Sequence, residues 1–96
     1  MPSKRSTAVL EDQVEMVALR SSYDSRTPRE QDVMRLVVAG LLNKQIGLQL
    51  SISEITVKAH RGKMMHKMKA NSVADLVKTA VRLGLKWARN SWHTTD

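Results

Sequence analysis

The stretch SEITVKAHRGKMMHKMKANS, residues 53–72, decides how the rest of the chain is read. After Glu54 it carries Lys58, Arg61, Lys63, Lys67 and Lys69, with His60 and His66 among them, and the next carboxylate is Asp75. Placed on a helix over 54–69 at about 100° per residue, Val57, Met64 and Met68 cluster on one side, flanked by His60 and Arg61. Ile55, Lys58, Ala59, Gly62, Lys63, His66 and Lys69 fall on or near the other. One face therefore suits a core, and the other is cationic with small residues at its centre. A helix face that is merely solvated normally pairs its lysines with glutamates four residues away. Here the acids are missing. Small residues let a helix come close to another surface, while flanking lysines reach phosphates and a few side chains touch base edges.

Working outward, Ser51-Ile52 reads as a tight turn and Ser53 as the cap of the basic helix. Before the turn, Asn43 is placed to cap a short helix with Ile46 and Leu50 facing in. A short helix, a tight turn and a second helix with a basic outer face make a helix-turn-helix. Residues 44–50 then lie across a nucleic-acid backbone and residues 54–69 enter a major groove. Further upstream, Thr27-Pro28-Arg29-Glu30 reads as a capping box with proline at the first helical position. That helix carries Val33, Leu36 and Val37 inward, with Met34 as core filler, and stops at Gly40. After the basic helix, Asn71-Ser72 opens another over about 73–83, which stops at Gly84. Its Leu76, Ala80 and Leu83 share one face; Val73, Val77 and Val81 lie on the adjacent face, open to a second copy of the chain.

At the N-terminus, residues 1–8 read as an irregular basic start. Leu10, Val14 and Val17 then mark an amphipathic helix over about 9–19, and SSYDSR reads as a loop. At the other end LKWARNSWHTTD holds another turn of helix, with Trp87 and Trp92 anchoring it to the domain. Nothing alternates like a strand, so the class is all-α. The division is 1–26, basic tail and linker helix; 27–84, helix-turn-helix domain; 85–96, C-terminal tail.

The chain has 96 residues and no cysteine, with a net charge of +7. That length suits one small domain. The absence of cysteine excludes disulfides and thiolate metal sites and fits a reducing, cytoplasmic setting. Residues 1–32 hold 5 basic and 6 acidic residues (5 − 6 = −1), and residues 33–96 hold 11 and 3 (11 − 3 = +8). Such asymmetry points to a polyanionic partner for the C-terminal two-thirds. The only aromatic residues are Tyr23, Trp87 and Trp92, too few for binders that stack single-stranded bases on rings. Double-stranded DNA is the better match. There is neither a signal peptide nor a membrane span. His60 and His66, six residues apart, do not share a helix face, so no metal site and no cofactor are expected. No Ser–His–carboxylate spacing, phosphate loop or carboxylate cluster suggests an enzyme.

The segment TPREQDVMRLVVAGLLNKQIGLQLSISEITVKAHRGKMMHKMKANSVADLV, residues 27–77, closely resembles the LuxR-type DNA-binding domain, in the form that ends FixJ- and NarL-like two-component response regulators, and the resemblance covers about residues 27–80. TPRE, NKQI, ISEITVKAHR and the spaced methionines occur in family order. The resemblance implies a four-helix fold that binds promoter DNA as a homodimer and regulates transcription, preceded here by a linker helix. It places Lys58 and Ala59 at base edges, makes Thr56, Arg61, Lys63 and Lys67 candidates for phosphate or base contact, and puts Asn43 and Lys44 against the backbone. Gly62 and His66 complete the groove side. By the same likeness Val73, Val77 and Val81 form the dimer contact. The linker likeness implies a receiver domain as a partner outside this chain, since 26 residues cannot hold one, and the resemblance admits RNA polymerase as a further partner. The chain departs from the family at Arg26, where leucine is usual, at Gly47, where alanine is usual, and at Gly62, where some members carry a long polar side chain. A competing expectation is a protein-interaction adaptor that uses the linker helix and the Trp-containing tail, with incidental DNA affinity.

Overall fold

Side-chain caps at Thr27, Ser53 and Ser72 set the starts of three helices. A computed structural model describes the backbone of residues 3–88 and the side chains of residues 10–88. It holds α1 (Ser3–Asp24), α2 (Pro28–Val38), α3 (Asn43–Leu50), α4 (Glu54–Lys67) and α5 (Val73–Arg82), with no strand among the described residues. The expected all-α helix-turn-helix bundle with a leading helix is thus observed.

The box at Thr27 is complete: the Glu30 amide donates to Thr27 Oγ1 at 3.1 Å, and the Thr27 amide donates to Glu30 Oε1 at 3.1 Å. Ser53 and Ser72 cap α4 and α5 through the amides of Thr56 and Asp75, each at 3.1 Å. The four helices α2 to α5 all end in a Schellman arrangement, with the left-handed residue at Gly40, Ser51, Lys69 and Gly84. In each case the following amide reaches back five residues, as in Ile52 N–H to Gly47 O at 3.0 Å and Ala70 N–H to Met65 O at 2.9 Å. Two of the four are non-glycine residues, and both bracket α4. The basic helix therefore stops at Lys67, shorter than the expected 54–69, because Lys69 leaves the helical region.

Val33, Met34, Val37, Ile46, Val57, Met64, Met68 and Leu76 fill the centre of the core. α4 packs on α2 and α3, and α2 on α5. Leu85 and Ala88 are buried in the same cluster and Trp87 is half-buried against it. Leu85, Trp87 and Ala88 thus pack on the core beyond the stop at Gly84. Trp92 and residues 89–96 lie outside the described residues, as do residues 1–2.

The leading helix differs most from expectation. It runs unbroken from Ser3 to Asp24, through part of the supposed irregular start and most of the SSYDSR segment. Turn-forming residue types lose here to tertiary contact, because Leu19 is buried and Met16 and Tyr23 are half-buried against the core. The last carbonyls are taken up locally: Arg26 Nε donates to Ser22 O at 3.1 Å, and Gln31 Nε2 donates to Tyr23 O at 2.9 Å. Arg26 also lies 3.8 Å from Glu30 Oε1. A charged tie thus stands where an apolar staple is usual. The expected stripe Leu10, Val14 and Val17 is 60–69% exposed; the helix meets the domain through Met16, Leu19 and Tyr23 instead.

Candidate nucleic-acid interface

The period of α4 divides its side chains sharply. Val57, Met64 and Met68 are buried, His60 and Arg61 are half-buried at the flanks, and Ile55, Lys58, Ala59, Gly62, Lys63, His66, Lys67 and Lys69 are exposed. A cationic surface results, with two small residues along its middle. Nothing lies within 4 Å of a Cβ built at Gly62, so the middle of this face is open. Thr56 is half-buried and turned into the cap, its Oγ1 lying 2.8 Å from Ser53 Oγ. Glu54 occupies the first turn, where a negative charge suits the positive end of the helix dipole.

The turn that joins α3 to α4 closes against Gly47 of α3. A Cβ there would stand 2.7 Å from the Ile52 carbonyl oxygen. The glycine lets the turn backbone close onto the helix, which sets the angle at which α4 leaves.

Asn43 is the first residue of α3 rather than its cap. Leu42 occupies the cap position in extended conformation, and leucine has no side-chain acceptor. Only half of the reciprocal box forms, with the Leu42 amide donating to Gln45 Oε1 at 2.8 Å. The first amides of α3 therefore lack a side-chain cap. Uncapped amides at the positive end of a helix favour an anion, and exposed Lys44 stands beside them. Asn43 turns its side chain inward instead: Arg61 Nη1 donates to Asn43 Oδ1 at 2.8 Å, and both residues are half-buried. The sequence reading assigned these two residues separately to DNA; the structure pairs them across the helix-turn-helix. They are 18 positions apart, and no local pattern signals the pairing.

Behind the interface, the Glu30 carboxyl is held below the ordinary carboxylate value. The hydrogen bond from the Thr27 amide is the main cause; burial opposes it, and the Thr27 hydroxyl, Arg26 and His60 assist. On α5, Val73 and Val81 are 36% and 38% exposed and Val77 is half-buried, so the valine face is open in the single chain. Arg82 closes one end of that face with an ion pair to Asp12 and a second contact to Glu15 at 3.8 Å.

The family profile for bacterial regulatory proteins of the luxR family matches residues 24–80. Nodulation protein W of Bradyrhizobium diazoefficiens is 49% identical over 67 residues, covering 70% of this chain and 30% of its own length. Response regulator protein TmoT of Ectopseudomonas mendocina is 54% identical over 65 residues, covering 68% and 30%. A low-resolution structure of the response regulator StyR superposes with a TM-score of 0.66 at 39% identity, over 83% of this chain and 38% of that one. The chain thus spans about a third of the length of each of these three proteins.

Proposed function

We propose, since this chain belongs to the LuxR family of bacterial regulatory proteins, that it binds double-stranded promoter DNA and regulates transcription as the output domain of a response regulator. The observation that supports this most is the outward cationic face of α4, with Ala59 and Gly62 at its centre. Lys58 and Ala59 meet base edges. Lys63, His66 and Lys67 flank them toward phosphates, and Lys44 with the first amides of α3 holds the DNA backbone. Arg61 acts chiefly by fixing α4 to Asn43, which orders the angle between the two helices. Thr56 serves the cap and reaches phosphate from it. Val73, Val77 and Val81 join two copies, so that two α4 helices meet successive major grooves. A receiver domain and RNA polymerase are the protein partners of this reading.

Selection of bound duplexes from a random library tests it, because the recovered site gives sequence and symmetry together. On the selected site, Lys58→Ala costs about 1–3 kcal/mol and relaxes preference at one base pair. Lys67→Ala weakens selected and random duplexes alike. Equal losses on both duplexes for Lys58→Ala would remove its base-reading role. Affinity falls with salt at a log–log slope of roughly −0.9 per phosphate neutralised.

The exposed stripe Leu10, Val14 and Val17 favours a second reading, a protein-binding adaptor that docks through α1. An adaptor shows no preference among duplexes in the same selection.

A further inference from the structure

We infer that Ile55 reads a thymine C5-methyl group in the major groove, an inference that rests on the duplex-binding reading of α4. Ile55 lies in the first turn of α4 and is 79% exposed. Folding gains little from so exposed a side chain. Among the described residues of α4 it is the one large apolar side chain on the cationic face. Ala59 and Gly62 follow it one and two turns on, and the open space at Gly62 lets the helix come close to base pairs.

The N-terminal residues of a recognition helix are the ones that contact base edges. In the major groove those edges offer donors, acceptors and a single apolar group, the thymine methyl. Isoleucine has neither donor nor acceptor, so the methyl is the base feature it matches. Branching at Cβ leaves Ile55 one strongly preferred χ1 rotamer in a helix, so contact costs little side-chain freedom. Lys58 and Lys63 on the same face supply the charge complementarity that commits this apolar contact to a duplex rather than to an apolar protein surface.

Deoxyuridine in place of thymine removes the methyl and leaves the rest of the base edge unchanged. The test uses the full chain and a duplex recovered by selection, with deoxyuridine introduced at each thymine in turn. At one position per half-site the wild type should lose about four-fold in affinity, the size expected for one buried carbon. Ile55→Ala should show the same four-fold loss on the thymine duplex and no further loss with deoxyuridine there. Ile55→Val, which keeps the branched methyls, should retain the discrimination. Both variants should melt with the wild type, because the residue is exposed. No deoxyuridine effect in the wild type, or an undiminished one in Ile55→Ala, overturns the inference and leaves DNA binding standing. A wild type that binds selected and random duplexes equally overturns both.

Discussion

Two glycines of the helix-turn-helix answer to different neighbours, and a pair of alanine substitutions separates them. Gly62 is mid-helix with open space at its Cβ position. Gly62→Ala should raise stability by about 1 kcal/mol, the ordinary helix-propensity gain. Gly47 is also helical, but its Cβ would stand 2.7 Å from a backbone oxygen. Gly47→Ala should lose that gain and lower the melting temperature, because the turn must shift. Thermal melts of the two variants decide it; equal gains would show that the turn has slack. Glu30 gives a second test at this scale. Its pKa is lowered in the folded state, chiefly by the Thr27 amide. Its contribution is therefore fully present above the unfolded carboxylate pKa and is lost as pH falls through the folded value. Glu30→Gln can keep the box geometry but cannot titrate. Wild-type stability should drop in the acid range more steeply than that of Glu30→Gln, measured as denaturant midpoints against pH.

At the scale of elements, the starts of α2, α4 and α5 and the stops of α2 and α5 were legible because they are local. Thr27, Ser53 and Ser72 act within three residues of themselves, and Gly40 and Gly84 by their own backbone freedom. The division of α4 into buried and exposed faces was legible for the same reason, since period alone sets it. What sequence did not show is non-local or replaces a local rule. The Asn43–Arg61 bond spans two helices, and the length of α1 depends on Leu19 and Tyr23 finding the core. The end of α4 shows a local rule overridden. Lys69 takes a left-handed conformation (φ 56°) in a place that favours glycine, and a non-glycine residue there costs roughly 1–2 kcal/mol. Lys69→Gly should stabilise the domain by about 1 kcal/mol net of the extra freedom glycine has when unfolded. Chemical denaturation measures the change; a loss would mean that the lysine side chain contributes more than the backbone strain costs.

For the whole molecule, the question is how firmly α1 is joined to the rest. Its C-terminal half is held by Leu19, Met16 and Tyr23 against the core, a contact that salt does not weaken. Farther toward the N-terminus, Arg82 of α5 pairs with Asp12 and Glu15, and all three side chains are about half-exposed or more. Exposed pairs of this kind are worth less than about 1 kcal/mol and are screened at high ionic strength. α1 should therefore open in two stages. Raising salt, or Arg82→Ala, should speed amide hydrogen exchange around residues 10–15 while leaving residues 19–23 protected. Global stability should change little in either case. The same Arg82 borders the valine face of α5, so release of α1 also changes the charge beside the surface on which a second copy would sit. If exchange accelerates equally along the helix, α1 moves as one rigid arm and Arg82 does not divide it.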